Sequence, residues 1–457
     1  MKTFITLFIT VLLFSSCDKQ NEWLEVKSNK KDVILSTAAD YQAVLDNLFR
    51  LNYNQASFGM LCTDNVTADL ALWQQADEPS RNAYIFAEQI LGTPSAPSIG
   101  WSSEYSNIAS CNIVVEGIQR IRNNVTLAEY NNILGSALFF RANNYFSLTQ
   151  NFCTPYNDKA INSSLGVPIR RTTDVNEKSV RPILKENYDN ILDDLKNAEK
   201  LLPDLPAYQT RPSRVSTLAL LARVYLTMGK YEESLSCSEK ALSIYSELID
   251  YNTLKENDEF VFPVYPNNKE ILFFAGSSTY HPLYRYQYTQ VNSELYNSYQ
   301  ENDLRKILFF KKGNGGIILL KGQYTGEYSM FSGFATNELY LMKAECQARL
   351  GFTELAMETI NYLLKNRWRK NTFVPLPAIN ADAALHIILD ERRKEIPFLS
   401  NMRWQDLRRL NQEPRFAKKI VHRLDNVDYV LEPNSPKYVF DIPFNEIEYS
   451  GIQQNIR

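Results

Sequence analysis

The sequence predicts a mainly α fold of tetratricopeptide-like helix pairs, joined to a loop-rich lobe that carries short strands. Three observations predict it. Apolar residues recur at helical spacing over long tracts on both sides of the chain's middle. Residues 250–334 abandon that spacing for short apolar runs such as Ile271-Leu272-Phe273-Phe274, glycine clusters and many tyrosines. One helix–glycine–helix pattern occurs twice: Ala222, Tyr225, Gly229 and Ser234 return at the same offsets as Ala344, Gln347, Gly351 and Ala356.

The elements follow in order. Ser36 or Thr37 caps a helix that carries Tyr41, Val44, Leu45 and Leu48. Residues 52–99 lose the period and hold Pro79, Pro94 and Pro97, which predicts mostly loop. Trp101, Tyr105, Ile108, Val115 and Ile118 begin a second helix, and Leu127, Tyr130, Leu134, Leu138, Tyr145 and Leu148 a third. After a polar connection over 151–181, Tyr188, Ile191, Leu195 and Ala198 form a helix that stops before Pro203. Helices near 213–228 and 231–248 flank Gly229; helices at 336–350 and 353–367 flank Gly351. A glycine there takes the left-handed conformation that closes a helix, and a small residue facing back lets two helices approach closely. The pairs are expected near 38–122, 127–202, 213–248 and 336–367, with an insertion lobe at 250–334 and a further helix near 381–396.

The first residues carry different information. Lys2, the apolar run Phe4 to Phe14, and Ser15-Ser16-Cys17 form a secretory signal too short to span a membrane. Phe14-Ser15-Ser16-Cys17 resembles a lipobox with Phe in place of Leu. The reading is a signal peptide at 1–16 and a tether at 17–36 lipidated on Cys17, where several acyl chains give stable anchoring. Net charge is −3 with a pI of about 5.9, which argues against a nucleic-acid binder. The other five cysteines, Cys62, Cys111, Cys153, Cys237 and Cys346, make no framework, and Cys111, Cys237 and Cys346 fall in helical patterns as small buried hydrophobes. The aromatic content is unusual, at 27 Tyr, 24 Phe and 5 Trp, and tyrosine is the residue that binding surfaces over-use.

Several separate motifs, in order, resemble the SusD/RagB family of outer-membrane nutrient-binding lipoproteins of Bacteroidetes. Cys17 followed by Trp23-Leu24 is similar to the family's mature N-terminus, and Trp101, Tyr105, Ile108 and Asn112 to its early helix. Arg141 through Leu148 resembles its Arg-x-x-x-Tyr-Phe helix, Gly166-Val167-Pro168 the turn after it, and Arg211 through Leu226 its third pair. Glu391-Arg392-Arg393-Lys394-Glu395 with Arg403-Trp404-Gln405-Asp406-Leu407-Arg408-Arg409 looks like the family signature, although Leu399-Ser400-Asn401 stands where Glu-Gly is common. Ile442-Pro443 and Gln454-Asn455 resemble its closing segment. The resemblance implies one SusD-like domain over 37–457, with a C-terminal signature region at 381–457. It also implies a lid on a SusC-like TonB-dependent barrel, facing the exterior of the outer membrane, that captures a glycan or, in some members, a peptide.

The candidate sites each have two readings. The Glu391–Arg409 cluster could do acid–base chemistry, or could be an ion-paired scaffold around a buried Trp404. Tyr280, Tyr284, Tyr286, Tyr288, Tyr296 and Tyr299 crowd one stretch where composition predicts about one tyrosine. Tyr284, Tyr286 and Tyr288 alternate, so on a strand they share a face, either stacking on sugar rings or covering the helices. Trp73, expected on a loop, is a loop-pinning anchor or an exposed platform. Asp77, Glu78 and Arg81 could bind polar ligand groups or be merely solvated. Tyr324, between Gly322 and Gly326, is a further exposed-aromatic candidate. The three histidines, His281, His386 and His422, are far apart, and no catalytic, metal-ligating or phosphate-cradling motif occurs. The expectation is a non-enzymatic binding protein without metal or cofactor. A surface glycosidase and a pure protein-interaction scaffold are the alternatives from other classes.

Overall fold

The computed structural model describes residues 35–53, 58–94, 100–277, 283, 288–322 and 324–457. The signal peptide, Cys17 and nearly all of the tether lie outside these residues, as do Tyr280, Tyr284, Tyr286 and His281. Ten helices of eight or more residues run through the described part: α1 (Ala38–Leu45), α2 (Ser102–Arg120), α3 (Leu127–Phe152), α4 (Leu184–Leu201), α5 (Arg214–Thr227), α6 (Tyr231–Ile244), α7 (Thr336–Arg349), α8 (Thr353–Lys365), α9 (Ala381–Glu395) and α10 (Met402–Leu410). Side-chain caps start four of them, α1, α3, α5 and α9. Thr37 with Asp40 and Thr126 with Glu129 form reciprocal capping boxes, and Ser213 caps α5.

The helices pack side by side as a wall: α2 on α3, α3 on α4, α5 on α6, α6 on α7, α7 on α8. The two glycine turns are built alike. After α5, Lys230 N donates to Tyr225 O at 2.9 Å and Gly229 N to Leu226 O at 3.1 Å. After α7, Phe352 N donates to Gln347 O at 2.8 Å and Gly351 N to Ala348 O at 3.1 Å. Both are Schellman closures, and both glycines hold positive φ, +70° and +87°. A Cβ at either position would be strained in that conformation. Ser234, facing back, donates its hydroxyl to Ala222 O at 2.8 Å, and Ala356 is fully buried at the matching place.

The lobe is a set of short antiparallel pairings. One sheet has the order β1-β4-β6-β5, from Val66–Thr67, Gln290–Val291, Ile318–Leu320 and Phe310–Lys312. Two further pairings join β2 (Ile271–Phe273) to β8 (Phe334–Ala335), and β3 (Gly276–Ser277) to β7 (Met330–Phe331). A hairpin of β9 (Ile420–Leu424) and β10 (Val427–Leu431) follows the signature region. β1 comes from the stretch expected to be loop. That stretch also holds the 3₁₀ turn Phe58–Cys62 and two helices, Leu70–Gln75 and Glu78–Tyr84, capped by Asp69 and Asp77. Each is two turns or fewer, too short to print a period in the sequence. Cys62, Cys111, Cys153, Cys237 and Cys346 are free and buried.

Buried ion pairs bind wall to lobe. Arg305, wholly buried, holds Asp303 and Glu391 at 2.7 Å and Glu395 at 3.2 Å. Glu395 also takes Arg367 at 2.8 Å, and Arg367 reaches on to Glu270 at 2.9 Å beside β2. A second chain runs Arg392–Asp406 (2.9 Å), Asp406–Arg409 (2.9 Å), Arg409–Glu345 (2.8 Å) and Glu345–Arg349 (2.9 Å), joining α9, α10 and α7. Arg403 clamps Asp64, just before β1, with two bonds of 2.8 and 2.9 Å. Trp404 lies among these pairs, fully buried and stacked on Tyr438 and Phe440 at 4.8 and 5.4 Å. The Glu391–Arg409 cluster is therefore a scaffold.

Removing one member of a buried pair leaves the other charge uncompensated, at a cost of about 3–5 kcal/mol. Arg305→Met is expected to destabilise by about that much in urea unfolding, because it takes a guanidinium from three buried carboxylates and leaves Asp303 with no cation partner among the described residues. The acid limb follows from Glu345. Burial raises its pKa, but Arg409 and Arg349 outweigh burial and hold it at about 2 against an ordinary 4.5. A depressed carboxylate contributes stability above its unfolded pKa and loses it as pH falls through the folded one. Melting temperature is expected to fall between about pH 4.5 and 2, and by less in Glu345→Gln.

Candidate ligand-binding face

Trp73 sits on the short helix Leu70–Gln75, not on a loop, because Asp69 caps that helix through Leu72 N at 2.8 Å. Its ring is half-buried against the core, and its indole Nε1 donates to Arg81 O at 3.1 Å. The Arg81 guanidinium lies 5.8 Å from the Trp73 ring centre and donates to Ala76 O at 2.9 Å. Asp77 accepts from Ser80 N at 2.9 Å and so starts the next helix. The three side chains thus knit a two-helix corner together. That geometry matches the loop-pinning reading of Trp73, with part of the ring left at the surface.

The structure brings this corner beside the end of the tyrosine-rich stretch. β1 pairs with β4 through Thr67 and Gln290. Gln290 accepts from Asp69 N at 3.1 Å and donates to Asp69 Oδ2 at 2.7 Å. Tyr288, two residues earlier, is in a turn and 57% exposed. Residues 284–287 are outside the described part, so the shared strand face expected of Tyr284, Tyr286 and Tyr288 is not visible. Tyr296 is half-buried and Tyr299 buried, its hydroxyl bonded to Lys394 O at 2.7 Å.

Tyr324 corrects an expectation. It is only 3% exposed. Its ring stacks on Phe262 at 4.8 Å, and its hydroxyl meets Tyr251 at 2.7 Å, Asn337 at 2.7 Å and Glu395 at 3.3 Å. The flanking glycines serve close approach, not exposure. Gly326 has a φ of +67°, and a Cβ there would lie 2.6 Å from Phe262 O and Val264 N. The 324–328 turn is pressed onto the 262–264 backbone, which puts Tyr324 inside and carries Tyr328 outside.

Sequence reasoning missed an aromatic group at the other end of the tyrosine-rich stretch. Tyr53 packs edge-on to Phe274 at 5.3 Å, and Tyr265 stacks on the same Phe274 at 4.0 Å. Phe49, 85% exposed, lies 6.3 Å from Tyr53. The Tyr53 hydroxyl donates to Glu327 Oε1 at 2.8 Å, and burial is the main cause that pushes its pKa well up. Tyr328, 58% exposed, meets Phe260 edge-on at 5.0 Å. β3 starts beside this group, since Gly276 N donates to Asn52 O at 2.8 Å. The stretch between β3 and β4 is therefore pinned at one end by Tyr53 and its neighbours and at the other by the Trp73 corner. These rings come from separate segments, none with a periodic pattern, so only the Val-Phe-Pro-Val-Tyr run at 261–265 offered a signal.

The face is aromatic with a few carboxylates and amides, which suits stacking and hydrogen bonding. Among the described residues no group of three or more His, Cys, Asp or Glu side chains converges to hold a metal ion. His422 is buried between Tyr84 O and Thr63 O, and His386 lies beside Asp382 at the surface. No described helix is long and apolar enough to cross a membrane.

Comparison with known proteins places this architecture. Residues 22–226 match a family described as starch-binding, associating with outer membrane, and residues 334–455 match the SusD family. A SusD-like protein P2 of Formosa agariphila is 24% identical over 235 residues, a match spanning 51% of this chain and 44% of that one. The chain thus aligns with less than half the length of that curated relative. A SusD superfamily structure from Bacteroides thetaiotaomicron superposes with a TM-score of 0.72 at 22% identity, covering 92% of this chain and all of the other. A SusD-like carbohydrate binding protein from Bacteroides fragilis gives 0.68 at 15% identity, covering 92% and 99%. With both of its terminal regions matched in order and the whole fold shared, the chain belongs to the SusD/RagB family.

Proposed function

We propose that this protein is a lipid-anchored nutrient-binding protein of the outer-membrane surface. It captures an oligosaccharide or polysaccharide and passes it to a partner SusC-like TonB-dependent barrel, and Cys17 carries the anchor. The observation that carries the reading is the aromatic face on the lobe. Exposed rings at Phe49, Tyr288 and Tyr328 and half-exposed ones at Tyr53, Tyr265 and Trp73 flank the 278–287 stretch, on a scaffold whose family description is starch-binding. Sugar rings present apolar C–H faces with hydroxyls at the rim. Tyrosine answers both, with a flat ring and a polar tip. Tyr280, Tyr284 and Tyr286 belong to the proposed site by their place between the two flanks. Asp77 and Arg81 hold the corner in shape, and Tyr324 supports the face from beneath. No chemistry is assigned, because the Glu391–Arg409 carboxylates are clamped by guanidinium groups and spend their charge on the scaffold.

Titration calorimetry of the full chain against glycan pools and a peptide digest tests the reading. Heat from a glycan pool is expected; heat only from peptides would move the protein to the peptide-binding branch. Tyr328→Ala and Tyr288→Ala are expected to weaken glycan binding about tenfold while leaving the melting temperature unchanged. Trp73→Ala is expected to lower stability by about 1–3 kcal/mol in thermal or urea melts, because the ring pins the corner. Unaltered affinity in both tyrosine variants would remove this face as the site.

A further inference from the structure

The aromatic face holds a carboxylate that the fold positions but does not neutralise. Glu327 sits in the 324–328 turn, half-buried beside Tyr53. Its Oε1 accepts from the Tyr53 hydroxyl at 2.8 Å and from the Ser329 hydroxyl at 2.7 Å. Its backbone N–H donates to Thr325 Oγ1 at 3.3 Å, and that hydroxyl donates to Glu327 O at 3.2 Å. Gly276 makes room for the arrangement, since a Cβ there would lie 3.2 Å from both Ser329 Oγ and the Tyr53 ring. The carboxylate is therefore held in place before any ligand arrives. Both side-chain bonds fall on Oε1. Oε2 has no protein partner among the described residues, and it is not enclosed.

The acids that tie the lobe to the wall behave differently. Each meets a guanidinium: Glu270 has Arg367, Asp303 and Glu391 have Arg305, and Asp64 has Arg403. Among the described residues Glu327 meets no cation. The Tyr328 hydroxyl lies 3.2 Å from Glu259, which adds a second acid to the same face. At the other flank, Arg81 donates to Gln74 O and Ala76 O. Burial first, then Glu327 and Tyr265, push the Tyr53 phenol pKa up, so Tyr53 stays a donor to Oε1. A carboxylate oxygen has two lone pairs, so Oε2 can take two adjacent hydroxyls. Such charge-assisted bonds are about twice as strong as neutral ones. A ligand bringing its own negative charge to this spot meets a repulsion that the surrounding rings screen poorly.

We propose that Glu327 selects the glycan by charge. Its Oε2 accepts a vicinal hydroxyl pair from an uncharged sugar ring lying on the neighbouring tyrosines, and its charge turns away uronate- and sulfate-bearing chains. This rests on the nutrient-binding reading above and adds the charge class of the ligand to it.

The test is binding of the full chain to an array of neutral, uronate-bearing and sulfated oligosaccharides of matched length, read for wild type and for Glu327→Gln. Glutamine keeps an Oε1 acceptor for Tyr53 and Ser329, so the melting temperature is expected to hold, and a purely structural role would leave the array pattern unchanged. Wild type is expected to retain neutral chains and to bind their acidic counterparts about tenfold more weakly. Glu327→Gln is expected to bind neutral chains about fivefold more weakly and to narrow the neutral-to-acidic ratio to about twofold. Glu327→Asp, which keeps the charge on a shorter arm, is expected to go on rejecting acidic chains. Acidic chains bound by wild type as tightly as neutral ones would overturn the charge selection and leave the nutrient reading standing. An unchanged pattern in Glu327→Gln would remove Glu327 as the selecting contact. An array on which wild type retains no oligosaccharide would overturn the nutrient reading, and the selection with it.

Discussion

Glu395 has no exposed surface and three basic or amide partners, and much of the architecture meets at its carboxylate. Arg305 comes to it from the lobe, Arg367 from the end of α8, and Asn337 from the start of α7. Taking such charges out of water is expensive, and they persist only when geometry and extra hydrogen bonds satisfy every lone pair. At Glu395 single guanidinium contacts from Arg305 and Arg367, the Asn337 amide and the Tyr324 hydroxyl, itself bonded to Tyr251, supply those partners. The consequence is positional. A lobe made of two- and three-residue strands cannot hold itself rigid, because short ladders contribute few bonds. Its tie to the helical wall through Arg305, Arg367 and Glu270 gives it a defined pose.

That pose decides which aromatic rings point outward. Tyr324 and Tyr328 are four residues apart in one turn, yet one is buried under Phe262 and the other faces solvent. The Tyr324 hydroxyl is attached to the ion-pair lattice, so the turn is anchored from inside. Gly326 lets it press against the 262–264 backbone. Tyr53 and Tyr265 then assemble on Phe274 from separate segments, and the Tyr53 hydroxyl donates to Glu327. The aromatic face and the charged core are thus two sides of one arrangement.

How much was legible follows from the range of each interaction. The long helices are written locally: caps at Thr37, Thr126 and Ser213, a 3.6-residue apolar period, and closing glycines at 229 and 351. The scaffold reading of the segment around Trp404 came from its resemblance to the family signature, and the buried ion pairs of Arg392, Asp406 and Arg409 bear it out. The helices at 70–75 and 78–84 were missed because each is shorter than the window over which a period shows. Tyr324 was misread because flanking glycines suggest an open turn, and nothing local reveals a backbone pressed against them. Glu327 looked like any other loop carboxylate. Its bonds to Tyr53 and Ser329, and its lack of a cation among the described residues, depend on what the fold brings near it.

By itself the sequence determined the helical repeats, the tyrosine-rich insertion and the family, and it carries a lipobox-like N-terminus. Each of these is carried by residues within one or two helical turns, or by an ordered series of such motifs. Tertiary structure alone decided which tyrosines are exposed, that Tyr53, Tyr265 and Tyr328 stand together, and that Glu327 meets no cation among the described residues. These are properties of convergence between segments tens to hundreds of residues apart. Exposure and charge compensation depend on what the folded chain places within a few ångströms, which no local pattern encodes.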